Sequence, residues 1–344
     1  MKTRIHVVGL LLLVAILVAV IVAATALGTI FIPWPRVAGI LWARVLGADA
    51  LSRWPETEVA ILWQLRLPRV LTAALVGIAL AAAGVIFQGL LRNPMADPYI
   101  IGTSGGAALG ATVALLLPWR WVWLGFTPVP VMAFLGALLA VLVVYNIARV
   151  GHQTPITTLL LSGFAFSSIM AAVMSFLMLL SGNTLRRIVL WTMGGIGASG
   201  WEPLAVVTPL ILLGIGTAYT MSGELNVLLL GEEQAAHLGI HVERRKIILL
   251  MLGALLTGAA VSVSGLVGFV GLVIPHVARL IFGPDHRILL PASALSGGIF
   301  LVLADLVARL LLAPSEIPVG TVTALTGAPF FIYLLRKSKK EYTF

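Results

Sequence analysis

The sequence contains no cysteine and little charge. Only 10% of its 344 residues are charged, whereas 60% are hydrophobic, and the mean hydropathy is +1.08. Without cysteine, the chain can form no disulfide and can offer no thiolate to a metal ion or a redox partner. Because a soluble domain carries about 25% charged residues to wet its surface, this composition predicts a membrane protein.

The sequence also lacks the usual means of powering transport. It contains no Gly-Lys pair, so it can form no P-loop of the GxxxxGK[ST] type to bind ATP. Its apolar stretches carry almost no acidic residues, which ion-coupled carriers use as proton relays. The main exception, Asp305, can pair with Arg309 one helical turn later. The chain is therefore not expected to be an enzyme, and any energy must come from another chain. A secondary, ion-coupled transporter of a small solute stays open as the alternative.

Ten apolar stretches approach the roughly 20 residues that a helix needs to cross about 30 Å of hydrocarbon. They lie at 7–30, 70–90, 99–117, 130–148, 157–180, 204–220, 247–263, 266–282, 289–312 and 317–335. The first is longer than the apolar region of a secretory signal, which has about 7–15 residues, so we expect it to be retained. The sequence thus predicts an all-α, polytopic membrane protein in which residues 1–344 form a single domain with ten spans.

The distribution of lysine and tryptophan predicts the orientation. Basic residues are enriched in the cytoplasmic loops of membrane proteins. If both termini are cytoplasmic, all five lysines lie inside and all nine tryptophans lie in outer loops, chiefly 31–69 and 181–203. The net charge of +9 then reflects membrane loops, and we expect no nucleic-acid partner. The lysines are Lys2, Lys246, Lys337, Lys339 and Lys340.

A weak internal repeat relates the two halves of the chain. The segments GIALAAAG (77–84) and GAAVSVSG (258–265) share the same glycine spacing. Because they lie five spans apart, the copies, spans 2–5 and 7–10, would run in opposite directions, as in transporters with inverted repeats. Small residues also abound wherever membrane helices pack closely, so chance explains the similarity equally well.

Three outer arginines are candidates for docking an external protein. Arg66 and Arg69 flank Pro68, and because proline is tolerated only in the first turn of a helix, we expect span 2 to begin there. Arg309 lies at the outer end of span 9. Arginine binds carboxylates through a planar, bidentate fork. For most other outer arginines we favour contacts with lipid phosphates, and the pair at 186–187 fits either interpretation.

The segment 221–246, between spans 6 and 7, is the longest polar stretch on the inner side. It contains a predicted short helix with acidic residues in its first turn and a glycine at its end. We expect exposed small residues of this helix to fit a groove on another protein, although an ordinary amphipathic connector is the alternative. The candidate contact residues are Gly231, Glu232, Glu233, Ala235, Ala236, Leu238 and Gly239.

The basic run that follows, Arg244 to Lys246, is expected to anchor span 7 at the inner lipid headgroups. Glu233, His237 and His241 lie at four-residue spacing, but the HExxH pattern of a zinc site is absent. We therefore interpret these three residues as a solvated helix face and predict no metal site.

Six segments in order carry a family resemblance. They are LRLPR (65–69), RNPMADP (92–98), GTSGGA (102–107), WTMGG (191–195), GFVGLVIPH (268–276) and GAPF (327–330). In these segments the sequence resembles the FecCD-type permeases, which are the membrane subunits of ABC importers for vitamin B12, haem and ferric siderophores. The resemblance runs from span 2 to the C-terminus.

The resemblance implies a type II ABC importer permease in the cytoplasmic (inner) membrane of a bacterium or an archaeon. It implies a homodimer with a translocation path along its axis and two cytoplasmic ATP-binding subunits, which hold ATP and Mg²⁺. It also implies a periplasmic or lipid-anchored substrate-binding protein. The chain itself would hold no cofactor. Whether the cargo is a siderophore, haem or a corrinoid stays open.

The resemblance also implies roles for individual residues. Glutamates of the binding protein would bind Arg66, Arg69 and Arg309, and 231–239 would be the coupling helix that contacts an ATPase subunit. Span 5 would line the path, with a gate at its cytoplasmic end. The gate and path candidates are Ile156, Thr157, Ser162, Ser167, Met170 and Met174.

Overall fold

The computed structural model describes residues 2–28, 30, 32–46, 53–196 and 200–339. These residues form fourteen helices and contain no β-strand, only isolated bridges in the turns at 123–126 and 150–153. The prediction of an all-α fold is confirmed. Lys340, which is expected on the cytoplasmic side, lies outside the described residues.

The bounds of the helices follow the predicted spans. The helices are α1 (Lys2–Ala26), α2 (Trp34–Leu46), α3 (Glu56–Leu90), α4 (Thr103–Leu116), α5 (Pro128–Ala148), α6 (Ile156–Leu180), α7 (Leu185–Thr192), α8 (Trp201–Thr220), α9 (Ser222–Leu228), α10 (Glu232–His237), α11 (Val242–Ser264), α12 (Val270–Phe282), α13 (His286–Leu310) and α14 (Val319–Lys339). The ten predicted spans correspond, in order, to α1, α3, α4, α5, α6, α8, α11, α12, α13 and α14. Within the described residues, seven of these helices are long and apolar enough to cross a membrane.

The other three spans, α4, α12 and α14, are shorter apolar helices. Two of them are short for the same reason, because each begins after a residue in the left-handed conformation. These residues are Gly102, with φ 86°, and Phe269, with φ 69°. A left-handed residue cannot continue a right-handed helix. The predicted spans 99–117 and 266–282 therefore begin several residues too early.

The core is built around α3, which packs against α8, α11, α12 and α13. Its buried face consists largely of alanine, glycine and valine, and small residues allow membrane helices to approach closely. A methyl group added at Gly77 would collide with the carbonyl oxygen of Gly297 in α13, and one added at Gly84 would collide with that of Gly271 in α12. The two glycines of the first repeat copy therefore lie at helix crossings where a Cβ atom has no room.

The packing also has the pattern expected of an inverted repeat. Span 2 (α3) packs against span 9 (α13), and span 7 (α11) packs correspondingly against span 4 (α5). The two helices that carry the glycine segments, α3 and α11, pack against each other, and the α4–α5 pair corresponds to the α12–α13 pair. Such exchanged contacts are what a two-fold axis in the membrane plane produces. The contacts favour a true repeat over a chance similarity.

Span 2 begins earlier than predicted, because Pro68 lies inside α3 and not in its first turn. The helix is π-helical just before this proline, and the Leu67 N–H donates to the Leu62 carbonyl five residues back. By the same spacing, Pro68 leaves the carbonyl of Trp63 without an intrahelical donor. That carbonyl accepts a hydrogen bond from Trp201 Nε1 at 2.9 Å. A side chain of α8 thus replaces the missing backbone bond, and the helix continues.

Candidate functional site

The part of α3 around Pro68 meets the C-terminal end of α13 in a group of charged side chains that we call the outer ion cluster. Its members are Arg66, Arg69, Asp305, Arg309 and Glu316. The central Asp305 is fully buried. One of its oxygens accepts hydrogen bonds from Arg69 Nε and Nη2 at 3.0 and 2.9 Å, and the other accepts from Arg309 Nε at 2.9 Å. Arg69 Nη1 also donates to Glu316 at 2.9 Å. The predicted pairing of Asp305 with Arg309 is confirmed.

Two arginines of the outer ion cluster also hold the C-terminal end of α1. Arg66 donates to three backbone carbonyl oxygens there and Arg309 donates to two. The last carbonyl groups of a helix have no intrahelical partner, and a cation at this end interacts favourably with the helix dipole. The acceptors are Thr25, Ala26 and Ile30 for Arg66, and Ala24 and Leu27 for Arg309.

The members of the outer ion cluster differ in their exposure. Arg66 and Arg309 are each 7% exposed, whereas the side chains of Arg69 and Glu316 are 15% and 51% exposed. A protein that approaches this end of the chain therefore meets Glu316 and the edge of Arg69 first. The structure brings the three predicted docking arginines together, and their binding of an external carboxylate stays a prediction. The sequence did not indicate Glu316, because its partner Arg69 lies 247 residues away.

A cavity of about 530 Å³ adjoins the outer ion cluster. Arg69 and Glu316 line one part of it, and Arg187 and Trp191 of α7 line another. Its size falls in the range of about 300–1,000 Å³ that is usual for small-molecule sites. The exposed pair at 186–187 therefore has one member that faces the same opening as the outer ion cluster.

Helix α6, the predicted path helix, has one side that no other helix of the described chain covers. It packs against α4, α5 and α7, yet only Leu159 and Gly163 of its residues are buried. Its exposed surface combines large apolar side chains with a stripe of small residues spaced three or four apart. The large side chains are Leu161, Phe164, Ile169, Phe176 and Leu179, and the stripe consists of Ala165, Ser168, Ala172 and Ser175.

The predicted gate and path residues fall on two sides of α6. Thr157 is exposed, near the Pro155 N-cap, whereas the other predicted residues are half-buried. Ser167 and Met170 lie against the glycines that begin α4. They therefore lie on the side of α6 that faces its own subunit. The half-buried residues are Ile156, Ser162, Ser167, Met170 and Met174.

The polar segment between predicted spans 6 and 7 forms two short helices, α9 and α10. Gly231 precedes α10 with φ 117°, and Gly239 follows it with φ 85°, so the predicted helix is placed correctly. One detail is wrong: Ala235 is fully buried against the core, because it faces the membrane domain. The exposed face of α10 and its end consists of Glu233, Gln234, Ala236, His237 and Leu238.

Lys246 does not reach the lipid headgroups as predicted, because it is only 4% exposed. Its Nζ donates hydrogen bonds to Glu232 at 2.6 Å, to Glu243 at 2.9 Å and to the Thr154 carbonyl oxygen at 3.0 Å. The second carboxylate oxygen of Glu243 accepts the Thr154 N–H at 3.1 Å. These four residues, which we call the inner ion cluster, come from α10, from α11 and from the loop that precedes α6. The carboxylates of the polar segment supply the partners that the sequence pattern did not reveal.

The loop before α4 contains a further ionisable group. Asp97 accepts the Tyr99 N–H at 2.8 Å, and burial raises the pKa of its carboxyl group to about 6. The Tyr99 hydroxyl donates to the Val267 carbonyl at 3.0 Å. The loop that precedes α4 is thereby joined to the loop that precedes α12.

Three comparisons with known proteins agree with this architecture. The model of the FecCD transport family matches residues 12–337. The cobalamin import system permease protein BtuC of Halobacterium salinarum is 48% identical over 305 residues, which cover 89% of this chain and 80% of the relative. The hemin transport system permease protein HmuU of Yersinia pestis is 41% identical over 305 residues, covering 86% and 91%. A solved inward-facing structure of a metal-chelate type ABC transporter superposes with a TM-score of 0.80 at 32% identity, covering 95% of this chain and 98% of that one.

Proposed function

The chain belongs to the FecCD transport family, and on this premise we propose that it is the permease subunit of an ATP-driven importer for an iron chelate or a corrinoid. The relatives named for cobalamin and hemin import support this class of cargo. The proposed location is the cytoplasmic membrane of a bacterium or an archaeon, with both termini inside. ATP and Mg²⁺ would bind to partner subunits, and this chain would hold no cofactor. No finding supports the alternative of a secondary, ion-coupled transporter.

The exposed surface of α6 is the observation that carries this proposal. A membrane helix that only had to face lipid would need no stripe of small residues, whereas interfaces between membrane helices are enriched in them. The stripe Ala165, Ser168, Ala172 and Ser175 therefore fits a second copy of the chain across a shared path. The gate would lie at Ile156 and Thr157, with Ser162, Ser167, Met170 and Met174 behind the path surface. Small side chains leave room for cargo, and the serines offer hydroxyl groups.

The exposed face of α10 is the proposed contact for an ATPase subunit. Leu238, which is 63% exposed, offers an apolar side chain at the end of the helix. Glu233 and His237 flank it with polar groups, and glycines at both ends fix the turn directions. A small apolar centre with a polar rim is the usual composition of a protein interface.

The outer ion cluster is the proposed docking point for the substrate-binding protein. Glu316 is half exposed, and both of its carboxylate oxygens accept from Arg69 Nη1 at 2.9 Å. A glutamate from the binding protein could take this place, because its carboxylate could accept the same charge-assisted hydrogen bonds from Nη1. Arg66 and Arg309 lie behind this contact and add positive charge, so the cluster holds three arginines and only two carboxylates. Arg69 and Arg309 bind these carboxylates, whereas Arg66 binds backbone carbonyl groups.

Reconstitution with partner subunits tests the proposed function. The permease would be co-expressed with the ATPase and binding protein of the same organism, purified and placed in proteoliposomes. We expect the ATPase to co-purify, and we expect uptake of labelled cobalamin or of a ferric chelate such as haem only with ATP and the binding protein. An ATPase with a disabled P-loop is the control. Uptake driven by an ion gradient without ATP would contradict the proposal and support the secondary transporter.

The docking surface has its own test with a matched charge control. Arg69→Glu should weaken attachment of the binding protein and reduce its salt dependence, while the ATPase stays bound. Arg120→Glu makes the same charge change at an exposed outer residue away from the cluster and should leave attachment unchanged. Glu316→Gln weakens the contact between Arg69 and residue 316, which competes with the binding protein for Arg69. This variant should therefore preserve or strengthen attachment of the binding protein. Equal attachment by all variants would refute docking at this site.

A further inference from the structure

We propose that Lys246 is a positioning residue that transmits movement of α10 to the gate end of α6. The inference rests on the proposed function, because it needs an ATPase subunit to move α10. It goes further by naming the physical connection between the two elements. That connection is the inner ion cluster, formed by Lys246, Glu232, Glu243 and Thr154.

On the α10 side, the connection begins at the first residue of the helix. The Glu232 carboxylate accepts from Lys246 Nζ at 2.6 Å. The helix has only six residues, and Ala235 is its buried contact with the core. Because α10 is so short, a force on its exposed face moves the whole helix, including Glu232. The displacement therefore reaches Lys246 directly.

On the α6 side, Thr154 is held by both of its backbone groups, the carbonyl by Lys246 and the N–H by Glu243. The next residue, Pro155, has φ −60° and is the N-cap of α6. Because the proline ring fixes this angle, Thr154 cannot shift without moving the first turn of α6. The Thr158 hydroxyl fastens that turn to the Pro155 and Ala148 carbonyls at 2.8 and 3.0 Å.

The turn before Thr154 adds rigidity to the same unit. Val150 and Gln153 exchange two backbone hydrogen bonds, at 2.8 and 3.1 Å. Short paired turns resist internal deformation, because their backbone groups are already satisfied. A movement of Thr154 is therefore carried into α6 instead of being absorbed by a loose loop.

The inner ion cluster is also built so that one of its contacts can break. Glu243 lies three residues before Lys246 on α11 and moves with it. Glu232 belongs to another helix, and its side chain is 36% exposed, so water can solvate it when the pair separates. Lys246 would still keep Glu243 and the Thr154 carbonyl, so no cation is left buried without a partner. A purely static attachment would not need the second carboxylate.

The absence of cysteine makes the gate end easy to label. Thr157→Cys introduces a single thiol at an exposed residue in the first turn of α6. In proteoliposomes that contain the complete importer, we would measure its reaction rate with a water-soluble maleimide, with and without ATP and vanadate. ATP hydrolysis and ATPase co-purification would be measured on the same samples. The ratio of the two reaction rates reports how strongly nucleotide moves the gate end.

Four variants in this background separate transmission from simple stabilisation. Lys246→Met should bring the ratio close to one while the ATPase still binds and hydrolyses ATP. Glu232→Gln, which leaves the Lys246–Glu243 pair intact, should reduce the ratio without a loss of folding. Lys246→Arg should retain most of it, because arginine can bind both carboxylates. Arg244→Met removes the same charge from an exposed neighbour and should retain the full ratio.

The outcomes distinguish this inference from the proposed function. A full nucleotide response in the folded Lys246→Met variant overturns the inference alone. If that variant does not fold, Glu232→Gln decides in the same way, and its full response overturns the inference. Failure of the parent chain to bind any ATPase subunit overturns the proposed function and the inference together.

Discussion

Replacement of Asp305 by alanine removes the carboxylate that Arg69 and Arg309 share. The two guanidiniums lose three charged hydrogen bonds of 2.9 to 3.0 Å. Arg69 keeps its contact with Glu316, and Arg309 keeps its contacts with two carbonyl groups of α1. The carbonyl groups are neutral and Glu316 is half exposed, so neither replaces the buried negative charge of Asp305. Loss of one partner of a buried ion pair costs about 3–5 kcal/mol. We expect the free energy of unfolding to fall by that amount.

The measurement is unfolding of the detergent-solubilised chain, followed by the fluorescence of its nine tryptophans. Glu316→Gln is the matched control, because it removes the other carboxylate that pairs with Arg69, and that one is half exposed. An exposed ion pair contributes only about 0–1 kcal/mol, so this variant should unfold almost as the parent does. The double variant Asp305→Ala, Arg309→Met should lose less than the sum of the single losses, because fewer cations remain unpaired.

Similar losses for Asp305→Ala and Glu316→Gln would refute the reasoning. They would mean that water reaches Asp305 and screens it as well as it screens an exposed side chain. Additive losses in the double variant would have the same consequence for the Asp305–Arg309 pair, because independent residues add and coupled residues do not.

Three further predictions use the same unfolding measurement. Burial raises the pKa of Asp97 to about 6, so between about pH 4 and pH 6 the folded chain keeps a proton that the unfolded chain releases. The free energy of unfolding should therefore fall by at most about 3 kcal/mol as the pH rises through this range. Asp97→Asn should abolish this dependence, and an unchanged profile would contradict the prediction. Gly77→Ala should lower the free energy of unfolding by about 1–3 kcal/mol, because the added methyl group collides with the α13 backbone. Gly216→Ala should not lower it, because the methyl group there enters open space. Trp201→Phe should cost about 1 kcal/mol, because the Trp63 carbonyl loses its donor, and no loss would argue against the replacement of the missing backbone bond.

The sequence was sufficient for features that depend on local composition. Each of the ten apolar stretches falls on a helix, and within the described part of the chain seven of these helices are long and apolar enough to cross a membrane. Two glycines with acidic residues between them located α10. Local patterns failed where a distant residue decides the conformation. Pro68 does not mark the start of its helix as predicted, because an indole from α8 supplies the hydrogen-bond donor that the proline nitrogen lacks. Ala235 is buried because α10 lies on the membrane domain, a contact that its own six residues do not encode.

The charged sites show the same division. Arg66, Arg69 and Arg309 could be identified as unusual from their predicted position on the outer side. The pairing of Asp305 with Arg309 could be identified from helical spacing. The carbonyl acceptors of α1 could not be identified, since they lie up to 285 residues away from their donor. Lys246 looked like one more basic residue at a membrane boundary. Only the folded chain brings Glu232 and Thr154 to it, from 14 and 92 residues earlier in the sequence.

The arginine contacts at the end of α1 set an order for biosynthesis. α1 is synthesised before Arg66 and Arg309, and most of its surface faces away from the protein, so its own hydrophobicity favours its insertion. The carbonyl groups at its end, however, can accept their hydrogen bonds only after Arg66 in predicted span 2 and Arg309 in predicted span 9 have been synthesised. A nascent chain that stops before Arg309 carries an inserted first helix whose end is only partly fastened. The end of α1 is thus fully fastened only after α13 has been made.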